Sequence, residues 1–447
     1  MKRILLIYLP FCTPASPPYS LTNLHSFLKA NSKHKIDVLD LNLEFHKLKF
    51  PKEHKYYKKG KFNDYAKFTA DFKRSSSKVY SGNNKKVVQG EKPELLAELI
   101  KMVKKKKPDI VAFSIVYSSQ AFFAHSMIKE LKDVECVIGG PAVNEKLIKI
   151  ADKTLANEVE FLDYINEKKT DHDKLKFNYA VDFSVYKLSD YFSPCSVVPI
   201  KTSSTCYYKK CAFCSHFTNL PYCEYDLKLV KKTILSSKQK HFFVIDDMIH
   251  VQRLLEIAKM MKPLKVKWTT QLKPTKDFTF EVLKKLKDSG LNMILWGVES
   301  GNDRILKLMN KATNKKDIIN VLKDSKKAGI LNVVYMLYGF PSETKEEFIE
   351  TIDFLKGNEK NIDLISSSIF GLHKGTAVYN NPKKFSIIKI HEEERTVLEP
   401  KITYDVSKGL SQKEASKLRD KYKKTIDNIN KYPRDMNYFR EHMLCGK

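Results

Sequence analysis

The sequence predicts an α/β protein in which two successive series of parallel strands and helices are followed by a helical tail. Two observations carry this prediction: most apolar runs are uninterrupted, and helical patterns separate them. Continuous apolar strands are typical of parallel sheets that helices cover on both faces. The length of 447 residues suits two or three domains. We therefore expect a doubly wound sheet first and an open or closed β/α barrel second.

The first series occupies residues 1–165. Its predicted strands are 3–9, 36–41, 109–116 and 134–138, and its predicted helices are 19–29, 93–106 and 120–132. The lysine-, tyrosine- and serine-rich stretch 44–92 has weak periodicity and is interpreted as an insertion. Doubly wound sheets bind ligands beyond the carboxyl ends of their strands. The loop residues at that edge are Pro17, Pro18, Tyr117, Ser118, Gly139 and Gly140. The two glycines could equally serve only to turn the chain.

The second series follows a polar and aromatic stretch, 166–196, which is interpreted as a linker. The barrel is expected over 197–385, with strands at 197–201, 241–245, 265–269, 293–297, 332–337 and 365–371. Its clearest helical patterns are 280–289, 315–328 and 345–355. The tail, 386–447, is expected to be helical, with a lysine-rich amphipathic helix over most of 411–447.

Composition favours some classes of protein and disfavours others. There are 80 Lys and Arg against 52 Asp and Glu, a net charge of +28, but the basic residues are mostly dispersed lysines. Arginine, which grips phosphate bidentately, is scarce, so a nucleic-acid partner is not favoured. The apolar run 4–9 ends at Pro10 and is shorter than a signal-peptide core, and no run reaches the length of a membrane span. We therefore expect a cytoplasmic protein.

The strongest motif is STCYYKKCAFC, which places Cys206, Cys211 and Cys214 in one loop after the first barrel strand. Three thiolates could hold zinc if His216 or Cys223 supplied a fourth ligand. They could instead hold an iron–sulfur cluster and leave one iron open. The spacing alone leaves both possibilities. The position of the loop at the mouth of a β/α barrel, where active sites lie, favours the cluster.

Together with four later segments, this motif makes residues 182–370 resemble the radical S-adenosylmethionine (SAM) superfamily. The segments are FFVIDDM (242–248), KWTTQLK (267–273), ILWGVESGNDRIL (294–306) and VVYMLYGFPSET (333–344). The resemblance implies a partial six-stranded β/α barrel and a [4Fe–4S] cluster on the three cysteines. Here four residues separate the first two cysteines, where the family usually has three. An electron from the cluster would cleave SAM and release a 5′-deoxyadenosyl radical.

The same resemblance implies a set of residues that contact SAM. They are Phe213 against the adenine, Asp246 and Asp247 near the methionyl end, Glu299 and Ser300 after the fourth strand, and Gly339 near the adenine. A carboxylate at such a position can accept hydrogen bonds from an ammonium or from ribose hydroxyls. The alternatives are a helix-capping or surface role for Glu299, an outward orientation for one of the two aspartates, and a simple core position for Phe213.

The first series resembles the Rossmann-like cobalamin-binding domains that precede such barrels. The similar segments are 17–29, 35–42, 108–119, 136–143 and the run 181–194. The resemblance implies that Ser118, Gly139 and Gly140 contact cobalamin. The D-x-H-x-x-G signature that supplies a histidine to cobalt is absent, and His25 and His125 lie on predicted helices. We therefore expect a cobalt without a histidine from the protein.

The function predicted from these resemblances is cobalamin-dependent methyl transfer to an unactivated carbon of a small metabolite or peptide. The reaction needs an electron donor such as ferredoxin or flavodoxin. One alternative is a radical SAM enzyme that uses no cobalamin and performs rearrangement or bond formation. Another is an RNA methylthiotransferase, whose amino-terminal domain supplies three cysteines where this chain has only Cys12 and Cys136. The non-enzymatic alternative is a zinc-dependent binding module.

Overall fold

The computed structural model describes residues 1–60, 64–215 and 221–446, and the chain divides into two compact units. Unit 1 comprises Met1–Pro199, Lys228–Gln239 and Glu394–Pro400, and unit 2 comprises Ile200–Leu227, Lys240–Glu393 and Lys401–Lys447. Residues 166–199, which include the predicted linker, thus belong to unit 1. In the described part of the chain, no helix is both long enough and apolar enough to cross a membrane.

Unit 1 contains a five-stranded parallel sheet. Its strands are β1 (Arg3–Tyr8), β2 (Lys35–Asp40), β3 (Ile110–Ser114), β4 (Glu135–Gly139) and β5 (Lys153–Leu155). They are ordered β2-β1-β3-β4-β5, and every pairing is parallel. The chain proceeds outward in opposite directions from β1 and β3, which is the switch point where doubly wound sheets bind ligands. The predicted fold of the first series is confirmed, and β5 was missed because it has only three residues.

Three of the helices of unit 1 lie in or overlap the predicted insertion. The helices of unit 1 are α1 (Tyr19–Asn31), α2 (Leu41–Lys49), α3 (Pro51–Lys59), α4 (Tyr65–Val88), α5 (Leu96–Lys105), α6 (Ala121–Glu130), α7 (Glu145–Ile148), α8 (Glu158–Asn166) and α9 (Leu227–Ser237), whose first residue belongs to unit 2. Stretch 44–92 therefore folds as helices, although its sequence showed little periodicity. Buried aromatic rings hold them together, for example Phe50 against Phe72 with ring centroids 5.1 Å apart. Such isolated aromatic contacts leave no continuous apolar stripe in the sequence.

The second sheet has six strands in consecutive order. They are β6 (Val197–Ile200), β7 (His241–Val244), β8 (Lys267–Leu272), β9 (Leu291–Glu299), β10 (Leu331–Tyr338) and β11 (Leu364–Ile369). The pairings from β7 to β11 are parallel. The intervening helices are α10 (Val251–Met261), α11 (Phe280–Asp288), α12 (Asp303–Leu308), α13 (Lys315–Lys327) and α14 (Lys345–Gly357). Consecutive parallel strands joined by helices form the partial β/α barrel that the sequence predicts.

The two faces of this sheet can be told apart on β10. Asn332 bonds to Ser325 and to the carbonyl of Leu322 on α13, and Tyr338 packs against Phe348 on α14. Even-numbered positions of β10 therefore face the helices. Odd-numbered positions, including Tyr335, face the opposite side, which we call the inner face.

The tail differs from the expected helical extension. After α15 (Ala377–Asn380), strands β12 (Ile387–Glu393) and β13 (Lys401–Val406) pair antiparallel. Most side chains of β12 are exposed, so the strand carries no clear apolar alternation that the sequence could reveal. The expected long helix is divided into α16 (Gln412–Lys421), α17 (Lys423–Ile429) and α18 (His442–Cys445).

Candidate functional site

The three cysteines of the motif lie in the loop that follows β6. Cys206, Cys211 and Cys214 are partly buried and free of disulfides. The end of α12 anchors this loop, because the Ala212 amide donates to the Met309 carbonyl at 2.9 Å. The Tyr208 hydroxyl also donates to the Asn310 carbonyl at 2.6 Å. The loop is thus tied to the segment that follows the fourth barrel strand.

Two buried lysines lie close to these thiols. Burial raises the pKa of Cys211, Lys311 and Lys273 lower it, and the neighbouring thiols Cys206 and Cys214 raise it further. Both lysines are 4% exposed, and the Lys273 ammonium lies 3.4 Å from the centroid of the Tyr208 ring. Adjacent cations favour thiolate over thiol, and thiolate is the form that binds metal. The loop is therefore suited to hold an iron–sulfur cluster.

The arrangement gives no support to a mononuclear site. Among the residues that the structure describes, no three His, Cys, Asp or Glu side chains are placed to hold one metal ion. His216, a candidate fourth zinc ligand, lies outside the described residues. Cys223 is exposed, and its backbone pairs with Ser204. The cysteines of a four-iron cluster bind different irons, so they need not converge on one point.

Glu299 ends β9 and faces Lys311. Its backbone is left-handed, with φ of 69°, next to a register shift between β9 and β10. Such irregularities re-aim side chains and cluster at functional sites. The Glu299 carboxylate lies 2.9 Å from the Lys311 ammonium, and the two side chains are 14% and 5% exposed. A Cβ at Gly297 would lie 2.8 Å from the Glu299 carboxylate and 3.0 Å from the Lys311 ammonium, which explains the glycine of the G-x-E-S-G motif.

Lys311 is a site residue that the sequence analysis missed. Burial opposes its charge, but Glu299 and the thiols Cys211 and Cys206 raise its pKa above the usual value. Its ammonium also lies 5.6 Å from the centroid of the Phe213 ring. No local motif marks this lysine, because it follows Glu299 by a helix and a turn.

The two aspartates after β7 have different surroundings. Asp246 is fully buried and accepts hydrogen bonds from the Thr202 amide (2.7 Å), the Thr202 hydroxyl (2.5 Å) and the Ser203 hydroxyl (2.8 Å). Burial raises its pKa, and the bonds from Thr202 and Ser203 lower it. Asp246 therefore holds the start of the cysteine loop, and its contact with SAM stays a prediction. Asp247 lies 4.0 Å from the Lys201 ammonium.

The three other predicted SAM contacts, Ser300, Gly339 and Phe213, each make contacts within the chain. The Ser300 hydroxyl is buried, lies 3.2 Å from the Thr351 hydroxyl and accepts from the Asn302 amide. The Gly339 amide donates to Glu343 at 2.6 Å, and its φ of 70° suits glycine. Phe213 is partly buried and packs against the apolar cluster beneath the loop. Ser300 and Gly339 thus shape the strand ends around Glu299.

Unit 1 has a cleft at the carboxyl ends of β3 and β4. Its volume is about 250 Å³, it is partly open to solvent, and most of its lining is apolar. Its polar and glycine lining residues are Ser20, Asn23, Ser114, Gly139, Gly140, Asn157 and Glu158. Its position at the carboxyl ends of parallel strands is typical of a ligand site. The contributions from α1 and α8 were not predicted, because helix residues without a motif are indistinguishable from surface residues in the sequence.

The predicted cobalamin contacts lie differently around this cleft. A Cβ at Gly139 would be 2.9 Å from the Leu155 carbonyl oxygen, and one at Gly140 would be 2.4 Å from the Ile115 carbonyl oxygen. The close approach of neighbouring strand ends therefore requires both glycines even without a ligand. Ser118 is exposed and does not line the cleft.

The histidines considered for cobalt are also outside the cleft lining. His25 lies on α1 and His125 on α6, and burial lowers the pKa of both.

Comparison with known proteins adds a family and a fold. Residues 200–355 match the family described as the Radical SAM superfamily. An uncharacterised methyltransferase of Pyrococcus horikoshii is 29% identical over 31% of each chain. A tRNA-2-methylthio-N(6)-dimethylallyladenosine synthase of Clostridium tetani is 36% identical over 24% of each chain. A bacteriochlorophyllide d C-8(2)-methyltransferase of Chlorobaculum tepidum is 26% identical over 44% of this chain and 47% of its own.

The chain thus spans about a third of the length of the first of these relatives. Two solved structures resemble the whole fold. The radical S-adenosylmethionine methyltransferase TsrM of Kitasatospora setae, solved with cobalamin and a [4Fe-4S] cluster, has a TM-score of 0.61 and 14% identity over 90% of this chain and 83% of its own. The cobalamin-dependent S-adenosylmethionine radical enzyme OxsB, solved with aqua-cobalamin, has a TM-score of 0.63 and 14% identity over 94% of this chain and 67% of its own.

Proposed function

We propose that this chain, which carries a radical SAM domain over residues 200–355, is a cobalamin-dependent radical SAM methyltransferase. Its substrate would be an unactivated carbon of a small metabolite or peptide. The observation that carries the proposal is the loop of three neighbouring cysteines beside the buried pair of Glu299 and Lys311. That constellation supports the assignment of cluster ligands and a charged group for SAM at the ends of the barrel strands.

In this proposal, Cys206, Cys211 and Cys214 would hold a [4Fe–4S] cluster. When bound, the cluster supplies the electron that cleaves SAM. The chain's own residues position and shield the reactants. Glu299 accepts hydrogen bonds from the ammonium or the ribose hydroxyls of SAM, and Lys311 holds that carboxylate in place at 2.9 Å. Phe213 forms an apolar wall beside the loop.

The cleft of unit 1 is the proposed cobalamin site. Cobalamin is much larger than the cleft of about 250 Å³, so the cleft would take one part of the molecule against β3 and β4. When bound, cobalamin would carry the methyl group to be transferred. The sharing of the fold with TsrM and OxsB, whose structures contain cobalamin, supports this assignment. We further propose that the protein supplies no histidine to cobalt, since neither His25 nor His125 lines the cleft.

A substitution that fills the cleft tests this part of the proposal. Ser20 is exposed on the first turn of α1 and lines the cleft, so Ser20→Trp should fit the fold and occupy the space. We expect this variant to lose cobalamin on desalting while keeping its iron. Lys29→Trp, at an exposed position of the same helix outside the cleft, is the matched control. Retention of cobalamin by Ser20→Trp would remove it from this cleft. If the wild type retained none, a radical SAM reaction without cobalamin would replace the proposal.

Methylthio transfer is the second candidate function, because the relative from Clostridium tetani is named as a synthase of a methylthio-modified tRNA nucleoside. A second cluster would need cysteines in the first sheet. Cys12 follows β1, where its sulfur lies 3.6 Å from the Tyr8 hydroxyl, whereas Cys136 is buried within β4 and contacts the Val134 carbonyl. Burial raises the pKa of both thiols to about 12, and neither has the neighbouring lysines that lower the pKa of Cys211 and favour its thiolate form. These surroundings favour methyl transfer.

We also propose an acidic electron carrier of the ferredoxin or flavodoxin class as the partner. Lys210 is exposed between the first two cysteines, and the chain has a net charge of +28. Positive charge next to a redox centre attracts an acidic protein. Cys206, Cys211 and Cys214 are free of disulfides, and a reducing compartment keeps such thiols free, so we propose a cytoplasmic location.

The decisive experiment on the whole proposal is anaerobic reconstitution. The purified chain should bind about four iron and four sulfide, and with a reductant it should convert SAM to 5′-deoxyadenosine. Zinc in place of iron, or iron without any cleavage of SAM, would refute the assignment.

A further inference from the structure

The segment that follows α17 covers an edge of the barrel sheet and then returns over its inner face. The Ile365 amide on β11 donates to Asn430 at 2.7 Å, and Asn437 donates to the Ile365 carbonyl at 2.8 Å. These bonds satisfy an edge strand that would otherwise be exposed. Three residues later, Arg440 contacts β10. The segment therefore contributes side chains to the interior of the barrel.

Arg440 is fixed on the inner face through Tyr335. Its guanidinium donates to the Tyr335 hydroxyl and lies 5.2 Å from the centroid of the Tyr335 ring. Tyr335 is an odd-numbered position of β10 and is paired with Gly297 and Ser366 on the neighbouring strands. Its phenol lies close enough to Glu299 for that carboxylate to raise its pKa. Arg440 thus lies on the inner face, on the side of Tyr335 that is within electrostatic reach of Glu299.

Two other cations at the strand ends have carboxylate partners. Lys311 pairs with Glu299 at 2.9 Å, and Lys201 lies 4.0 Å from Asp247. Within the described residues, no carboxylate lies within 4.0 Å of Arg440. Its neighbour in the chain, Glu441, is near enough for Arg440 to lower its pKa against the effect of burial, but forms no ion pair with it at that distance. Arg440 is therefore a half-buried cation without a direct ion pair, and an anionic ligand can approach it.

Space and hydrogen-bonding groups for an anionic ligand lie beside it. Ser366 and Ser368 on β11 are paired with Tyr335 and Leu337, so they share the inner face. Ser368 is exposed although it lies within a strand, which shows that this part of the inner face is open to solvent. Arginine binds carboxylates bidentately, and serine hydroxyls can donate to the remaining lone pairs.

We propose that Arg440, held by Tyr335, binds a carboxylate of the substrate, so that the substrate is an organic acid, an amino acid or a peptide with a free carboxyl group. This inference rests on the proposed radical SAM function and narrows its substrate class. Arg440 acts as a binding residue, and Tyr335 is a positioning residue that acts through it.

Chemical modification of Arg440 can test this directly on the cluster-loaded protein. Phenylglyoxal modifies accessible guanidinium groups, and mass spectrometry reads the modification of each arginine. The reaction is run anaerobically with saturating SAM, and the probes are N-acetylglycine and its uncharged analogue N-acetylglycinamide. We expect N-acetylglycine to slow the modification of Arg440 at least threefold and the amide to leave it unchanged. Arg434, which lies 3.8 Å from Asp427, is the internal control and should react equally in all samples.

The variant Tyr335→Phe tests whether protection of Arg440 depends on its being held by Tyr335 or only on its accessibility. In Tyr335→Phe the guanidinium loses its hydrogen bond, so protection by N-acetylglycine should fall toward that given by the amide. Equal protection by both probes, complete protection by SAM alone, or no reaction of Arg440 would each overturn the inference. Iron content and formation of 5′-deoxyadenosine are measured on the same sample. Their loss would refute the proposed function, whereas their presence without selective protection would refute only the role of Arg440.

Discussion

The buried pair of Glu299 and Lys311 allows the structural and ligand-binding roles of one carboxylate to be separated. In Glu299→Gln, the Lys311 ammonium, 5% exposed, loses a partner at 2.9 Å. Breaking a buried ion pair costs about 3–5 kcal/mol, or about 6–20 °C in Tm for a domain of this size class. Loss of a charged hydrogen bond to SAM adds about 1.5–3 kcal/mol to binding, which is about a 10- to 150-fold rise in Kd.

The double variant Glu299→Gln/Lys311→Met distinguishes these effects. Because it removes both charges, most of the lost Tm should return, whereas SAM affinity should stay low. Thermal unfolding and equilibrium dialysis of SAM are measured on anaerobic, iron-loaded protein. Lys315→Met is the control, since Lys315 pairs with Glu350 near the surface and its loss should cost under about 1 kcal/mol. Wild-type SAM affinity in the double variant would refute the role of Glu299 in binding, and an unchanged Tm in Glu299→Gln would refute the argument from burial.

Three further outcomes are expected. Cys211→Ala should lose most of its iron and all cleavage of SAM, as measured by an iron assay and by chromatography. Cys223 is exposed and lies outside the loop, so Cys223→Ala should keep both, and equal loss in the two variants would contradict the assignment. Burial raises the pKa of Glu343 to about 8, so the folded protein holds a proton that the unfolded chain releases, and stability should fall as the pH rises from about 4.5 to 8. Denaturant unfolding at several pH values should show a weaker fall of stability with pH in Glu343→Gln than in the wild type. An equal fall in both proteins would exclude Glu343 as its origin. Reduction of the cluster by reduced flavodoxin should slow with added salt and in Lys210→Glu, measured against dithionite as the reference reductant, and a salt-independent rate would argue against docking by charge.

The sequence predicted the two sheets well because most residues of most of their strands are buried. Uninterrupted apolar runs such as β3 and β10 leave few alternatives, and the radical SAM resemblance over 182–370 is confirmed by the family match over 200–355. The helices of 44–92 were missed because scattered aromatic contacts hold them, and β12 because it is exposed.

Within the site, sequence reasoning found the residues that belong to local motifs and missed those brought in by tertiary structure. Glu299 follows from its motif, but Lys311 and Arg440 carry no signature and reach the site from later parts of the chain. For Asp246, the motif predicts a contact with SAM, which stays a prediction. The fold adds what the sequence does not show, namely that Thr202 and Ser203 donate three hydrogen bonds to this carboxylate.

The attachment of the cysteine loop to the end of α12 has a consequence for maturation. The bonds from Ala212 to Met309 and from Tyr208 to Asn310 attach the loop to the two residues that precede Lys311 in the chain. Lys311 in turn pairs with Glu299. We therefore expect the filling of the loop with iron to affect Glu299, which the proposed function assigns to SAM. Under this proposal, protein without its iron should bind SAM more weakly than iron-loaded protein, also through contacts that involve no metal.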